Sequence, residues 1–355
     1  MDKFLLGGFE LNRVYQYDCI EALKLLPENS IDSIVTDPPY ELGFMGKAWD
    51  STGITFNIEF WKECLRVLKH GGHLLSFGGT RTYHRMVCAI EDAGFEIRDQ
   101  IQWIYGSGFP KSTDISKQLK KIDENISDYW KGWGTGLKPA HEPIVMARKP
   151  LSEKTIAKNV VKWNTGGINI DDCRIRTDDK LVRPEIKRND NNVYGTGLGA
   201  GTQIEPKGRF PANVILDEFS SKILDQQSGI LKSGSNCVRR KEGSFLEHGG
   251  LGKVGDVQVT YGDSGGASRF FYCAKAAKKE KGVFNNHPTV KPIKLMEYLV
   301  TLVTPSNGIV LDPFTGSGTT LKACKNKGFK YIGFERESQY IEITTQRLES
   351  PCVGV

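Results

Sequence analysis

The chain lacks any apolar run approaching the roughly 20 residues that a helix needs to cross a bilayer, which argues against a membrane protein. Its first residues carry an acid at position 2 and only a short apolar patch, so no secretory leader is expected. C-x-x-C pairs are absent. The eight cysteines are scattered along 355 residues, a pattern that fits neither a zinc site nor a disulfide framework. A reducing cytosol is the expected compartment, and no metal is expected. Extremes of composition are missing too. Hydrophobic residues make up 39% and charged residues 25%, the balance of a globular protein rather than a disordered one.

Excess charge is scarce, at +6 overall, but it is concentrated. Residues 151–285 hold 22 basic and 16 acidic side chains, while the other 220 residues hold 26 of each. Positive charge collected in one segment is what a polyanion-binding surface needs. The densest run is Arg239, Arg240 and Lys241. A second group is Lys275, Lys278, Lys279 and Lys281, near the end of the segment.

Residues 13–150 alternate between strand-like and helix-like patterns. Residues 13–17 and 33–36 read as strands, and 19–27 as a helix. Residues 56–70 read as an amphipathic helix with Phe60, Cys64, Val67 and Leu68 on one face, stopped by Gly71-Gly72. Strands separated by helices imply a mostly parallel sheet with right-handed crossovers. Residues 97–106 and 141–149 then suggest two strands joined by a long polar excursion. The segment 151–285 breaks the rhythm with 18 glycines and weak periodicity. It reads as an inserted, loop-rich module within one α/β domain whose regular pattern resumes at 288.

Two motifs carry chemistry. The first runs from Asp312 through Pro313, Phe314, Thr315, Gly316, Ser317, Gly318 and Thr319, where a buried strand enters a glycine turn and then a helix. Glycines there allow the backbone to approach a ligand outside the carboxyl ends of the strands. Glu335, 23 residues after Asp312, is placed to accept hydrogen bonds from a ribose diol. Leu321 stands where a dinucleotide fingerprint has its third glycine, and no G-K-[ST] follows, so a pyrophosphate is not the expected anchor. A side chain at Gly318, as in Gly318→Asp, is expected to enter the cofactor space.

The second motif is Asp37-Pro38-Pro39-Tyr40 after a strand. The prolines hold the chain extended. That presents the Asp37 carboxylate and the Pro38 carbonyl as two acceptors for the two N–H groups of a primary amine. Tyr40 offers a flat face to a flipped-out base.

Together, and in this order around a long insert, the motifs resemble those of the beta group of N6-adenine and N4-cytosine DNA methyltransferases. The resemblance covers residues 10–150 and 286–349. It implies a doubly wound, Rossmann-like α/β fold with a mostly parallel sheet and an antiparallel strand near its edge. It implies three segments: 1–150 with the catalytic motif, 151–285 as target-recognition region, and 286–355 with the cofactor half. The implied cofactor is S-adenosylmethionine and the implied substrate double-stranded DNA, in a bacterial cell or a phage-infected one. A homodimer and a cognate restriction enzyme are left open as partners.

Residue by residue, the resemblance places Asp18 and Cys19 near the cofactor adenine and Thr289 and Lys291 at its carboxylate. Phe314 would pack beside it. The target is expected to be N6 of adenine, because Asp rather than Ser leads the tetrapeptide. N4 of cytosine is the alternative, and a nucleotide- or DNA-binding protein without catalysis the second. His73, His84 and His141 are expected to be structural.

Overall fold

The computed structural model describes residues 5–43, 50–110, 112–177, 207–234, 237–238, 255, 257–258, 262–274 and 290–350. The chain divides into two compact units. The first comprises Met1–Asn169, Asn213–Ser220 and Cys273–Val355; the second comprises Ile170–Ala212 and Ser221–Tyr272. Arg239, Arg240, Lys241, Lys275, Lys278, Lys279, Lys281 and Thr289 lie outside the described residues.

In chain order the elements begin with β1 (Leu5–Leu6), β2 (Phe9–Glu10), β3 (Arg13–Gln16), α1 (Cys19–Leu25), β4 (Ile31–Thr36), α2 (Ile58–Val67) and β5 (Leu68–Phe77). There follow α3 (Tyr83–Asp92), β6 (Glu96–Ile104), α4 (Ile115–Leu119), α5 (Glu124–Ser127), β7 (His141–Arg148) and α6 (Ile156–Trp163). Next come β8 (Val214–Asp217), α7 (Glu218–Ser228), β9 (Leu231–Lys232), β10 (Cys237–Val238), β11 (Val257–Gln258), β12 (Ser264–Gly265) and β13 (Tyr272–Ala274). The last are α8 (Ile293–Val303), β14 (Ile309–Asp312), α9 (Thr319–Lys327), β15 (Lys330–Glu335) and α10 (Ser338–Glu349).

The main sheet runs β13-β8-β6-β7-β5-β4-β14-β15-β3. Strands β5, β4, β14, β15 and β3 are mutually parallel, so the two ends of the chain share one sheet. Strand β7 is antiparallel to both neighbours, β5 and β6. It is not near the edge, as expected, but fourth from it, because β8 and β13 extend the sheet beyond β6. Both come from the stretch that reads as an insert. The apolar run Val214-Ile215-Leu216 and the three residues of β13 are too short for periodicity to tell strand from helix, and pairing in the sheet decides their state.

Register explains the core. Ile34 stands opposite Leu74 and Leu311, Leu74 opposite Ala147, and Leu311 opposite Ile332. This row is fully buried and joins Ala22, Leu23, Phe60, Trp61, Val67 and Ile90 from α1, α2 and α3 in one cluster. Each Leu, Ile or Val side chain among them contributes roughly 1.5–3 kcal/mol by leaving water. The next residue on β4 faces the other way. Ser33 Oγ meets Thr304 Oγ1 at 2.8 Å, just past the end of α8.

One boundary departs from the sequence reading. Helix α2 stops at Val67, and Leu68 turns directly into β5 with extended backbone. Gly71-Gly72 therefore lies inside the strand rather than ending the helix. Leu68 is buried and pairs with Ile31, and the register then shifts before Ser33 pairs with His73. Gly71 adopts φ 84°, and a Cβ there would come 2.5 Å from Asn159 Nδ2. The glycines serve this irregularity, where a side chain has no room.

In the second unit, Asp263 binds Arg209 at 2.7 Å and Arg269 at 3.3 Å, and both guanidinium groups lie over the Phe270 ring. Asp225 accepts the Ser268 N–H at 2.8 Å and its hydroxyl at 2.7 Å.

Candidate active site

Strands β4 and β14 are adjacent and parallel, so their carboxyl ends lie side by side. The Thr36 hydroxyl donates to Asp312 Oδ1 at 2.7 Å and ties the two ends together. Asp37-Pro38-Pro39-Tyr40 and the glycine turn therefore open into one cavity of about 450 Å³. Asp18, Cys19, Lys291, Asp312, Phe314, Gly316, Thr319 and Glu335 also line it.

The turn after Asp37 is held rigidly. Asp50 is buried, and its carboxylate accepts the N–H groups of Tyr40 at 2.7 Å, Glu41 at 3.0 Å and Leu42 at 3.2 Å. Thr82 Oγ1 donates to the Tyr40 carbonyl at 2.7 Å. Charge-assisted bonds of this kind fix the Tyr40 backbone before any ligand arrives.

At the Asp37 end, four side chains converge. Lys291 Nζ bonds Asp37 Oδ2 at 2.6 Å and Glu142 Oε2 at 3.2 Å. The Tyr40 hydroxyl lies 3.0 Å from Asp37 Oδ1 and 2.9 Å from Glu142 Oε2, so its one proton serves either carboxylate. The Lys291 ammonium also sits over the rings of Tyr40 and Phe77. Burial opposes its charge, but Asp37 and Glu142 outweigh burial and push its pKa up to about 12. Burial, then the same two carboxylates, hold the Tyr40 phenol well above its usual value. The phenol is therefore neutral at working pH and acts only as a donor toward them.

At the other end, Glu335 closes β15. Its Oε2 accepts the Gly316 N–H at 2.8 Å and its Oε1 the Glu337 N–H at 2.9 Å. Burial still raises its pKa, against these backbone donors. Each oxygen has a further lone pair. A half-buried carboxylate with capacity for more donors fits the diol of a ribose. Asp18 Oδ1 caps α1 by accepting from Ile20 and Glu21 N–H at 3.0 and 3.3 Å. Burial, followed by the charge of Asp18, pushes the Cys19 thiol up to about 12, so it is no nucleophile. The Phe314 ring packs on Phe60 at 5.2 Å between centroids, which ties this wall to the core.

Two expected cofactor residues are placed differently. Gly318 does not line the cavity. It has φ 80° at the start of α9, and a Cβ there would come 2.5 Å from Thr344 Cγ2 on α10. A side chain at 318 thus meets α10, contrary to the expectation that it enters the cofactor space. Lys291 is committed to the carboxylates of the tetrapeptide end. Glu142 and Asp50 escaped the sequence reading. Glu142 had one signal, an acid opening a strand whose later residues, Ile144 to Ala147, are apolar and buried. His141, read as structural, also lines the cavity.

Asp312 is buried, and burial pushes its pKa up to about 7; bonds from Thr36, Thr320 and the Phe314 N–H oppose the rise, and the Asp37 charge adds to it. An acid whose folded pKa is raised binds a proton in the native state at a pH where the unfolded chain has lost it. Its stabilising contribution is full below the unfolded value, near 4, and is lost as pH rises through about 7. Asp312→Asn should therefore flatten the fall of stability between pH 4 and 7. Urea unfolding at several pH values reads this out; parallel curves for the two proteins would refute the assignment.

A model of the N6 and N4 DNA methylase family matches residues 31–346, most of the chain. The protein belongs to the DNA methylase family. The type II methyltransferase M.HindIII of Haemophilus influenzae is 24% identical to this methylase over 379 residues, covering 94% of each chain. M.HpaI of Haemophilus parainfluenzae, also a type II methyltransferase, is 27% identical over 343 residues, covering 95% of this chain and 74% of its own. Among solved structures, the M1.HpyAVI–SAM complex is 18% identical with a TM-score of 0.45, covering 95% of this chain and 99% of that one. The DNA methylase family depends on S-adenosylmethionine and acts on N6 of adenine or N4 of cytosine.

Proposed function

We propose that this methylase modifies N6 of adenine at a specific site in double-stranded DNA. The observation that carries the reading is the shared cavity, in which the Asp37 tetrapeptide and the glycine turn with Glu335 line one space. Glu335 would hold the cofactor ribose, with Asp18 near its adenine. When bound, S-adenosylmethionine supplies an electrophilic methyl group on a sulfonium.

The chain's own residues do the rest. Asp37 and the Pro38 carbonyl accept the two N–H groups of the target amine, which frees the nitrogen lone pair from the ring and aims it. Asp37 Oδ2 is held by Lys291, so Oδ1 faces the amine once the Tyr40 proton turns to Glu142. Asp37 also stands where the amine sheds its proton. Donors and acceptors fixed in advance around developing charge are the main catalytic resource here.

The deciding experiment is methylation of plasmid DNA by the purified protein with mapping of modified bases. N6-methyladenine at a defined sequence is the expected product. N4-methylcytosine, or no product, refutes the reading.

Target recognition falls to the basic segment 151–285. Alanine at Arg239, Arg240 and Lys241 together should weaken DNA binding. It should also make the dependence of log affinity on log salt shallower, by about 0.9 for each phosphate no longer neutralised. Cofactor affinity should not change. An unaltered slope, here and on removing Lys275, Lys278, Lys279 and Lys281, would place the DNA surface elsewhere.

A further inference from the structure

Between β6 and β7 the chain makes a long excursion, rooted at both ends in the cavity wall. Tyr105, Pro139, His141 and Glu142 line the cavity. The Tyr105 N–H bonds the Ala140 carbonyl at 2.9 Å and closes the neck. Beyond it, the described residues of 109–137 form a structured arm. Asp114 and Asp123 cap α4 and α5. Ser112 Oγ accepts the Thr135 N–H and Thr135 Oγ1 accepts the Thr113 N–H, both at 2.9 Å. The Ile115 N–H bonds the Trp133 carbonyl at 3.2 Å.

This arm has no apolar core among its described residues. Its buried side chains are Ser116 and Ser127, whose hydroxyls meet at 3.2 Å. Most of its large apolar side chains are exposed instead: Phe109 is 83% exposed, Tyr129 84%, Trp133 60% and Leu137 94%. The Trp130 and Trp133 rings meet edge-on at 5.2 Å between centroids, and exposed rings grouped in this way mark a contact surface. The same stretch, 107–140, carries six lysines against four acids, a balance that suits a polyanion.

We propose that residues 109–137 are a duplex-engaging arm whose exposed Tyr129, Trp133 and Leu137 contact DNA bases beside the nucleotide drawn into the cavity. The inference rests on the reading that the cavity takes its amine from DNA. An amine inside a duplex cannot reach Asp37 until its base leaves the stack, which costs unstacking and unpairing energy. Apolar side chains inserted at the opened step, and aromatic rings stacked on the neighbouring bases, offset that cost. The group that does this must stand at the cavity mouth. The arm is rooted there, since Tyr105 and Pro139 at its two ends line the wall and Leu137 lies two residues from Pro139.

The test uses the full chain with Tyr129→Ala, Trp133→Ala and Leu137→Ala together, and a matched Tyr129→Phe, Trp133→Phe pair that keeps the rings. Thermal melts check folding. Methylation is measured on a duplex carrying the mapped site and on the same duplex with the target base mispaired. The triple variant should lose roughly five- to hundredfold in kcat/KM on the paired duplex. It should lose far less on the mispaired one, where opening is already done. The ring-keeping pair should stay near wild type, and cofactor affinity should hold throughout. Wild-type rates for the triple variant, or equal losses on both duplexes, overturn the arm. So does a change from dimer to monomer with methylation intact, which assigns the surface to a second copy. Failure of the wild-type protein to methylate any DNA overturns the reading of the cavity itself.

Discussion

Asp37→Ala is expected to lower methyl transfer by roughly two to three orders of magnitude, the scale of removing one preorganised transition-state hydrogen bond. The loss should fall on turnover. Asp37 belongs to the tetrapeptide end, while Glu335 and the glycine turn are formed by other strands, so calorimetric binding of S-adenosylmethionine should change little. Two Tyr40 variants divide the remaining contributions. Tyr40→Ala removes the ring and its stacking, worth about 1–3 kcal/mol. Tyr40→Phe keeps the ring and removes only the hydroxyl shared by Asp37 and Glu142, so it should cost less. Near-wild-type turnover of a folded Asp37→Ala protein would show that Asp37 does not hold the amine.

Lys291→Met is expected to have the largest effect on stability. It leaves Asp37 and Glu142 facing one buried site without their shared cation. Removing one partner of a buried ion pair costs about 3–5 kcal/mol. The cost should depend on pH in a defined direction. Lys291 itself has a folded pKa pushed up to about 12 from 10.5. The stability it gives the wild-type protein is full below 10.5 and is lost only as pH rises toward 12. Urea unfolding at pH 8 and 11 measures the deficit, which should be smaller at pH 11. A deficit independent of pH, with a large loss of cofactor affinity, would instead return Lys291 to the cofactor carboxylate.

Much of the fold was legible because it is written locally. The apolar spacing of α2 marks the face that buries Phe60, Cys64 and Val67, and the stretch from Leu74 to Phe77, apolar but for the small Ser76, marks a strand buried on both sides. The end of α2 was not legible. Gly71-Gly72 looks like a helix stop, but burial of Leu68 against Ile31 ends the helix earlier. The interior position of β7 was hidden for a similar reason: β8 and β13 are strands only because the sheet offers them partners.

The candidate site divides along the same line. The sequence by itself determined the two motifs, since prolines at 38 and 39 and glycines at 316 and 318 restrict or free the backbone of their own neighbours. From them it determined the class of chemistry. The tertiary structure alone decided that Lys291 meets Asp37, that Glu142 joins them through Tyr40, and that Gly318 answers to Thr344 on α10. Those residues lie in or beside strands and helices far apart in the chain. Strand order and register bring them together, and no local pattern of side chains encodes strand order.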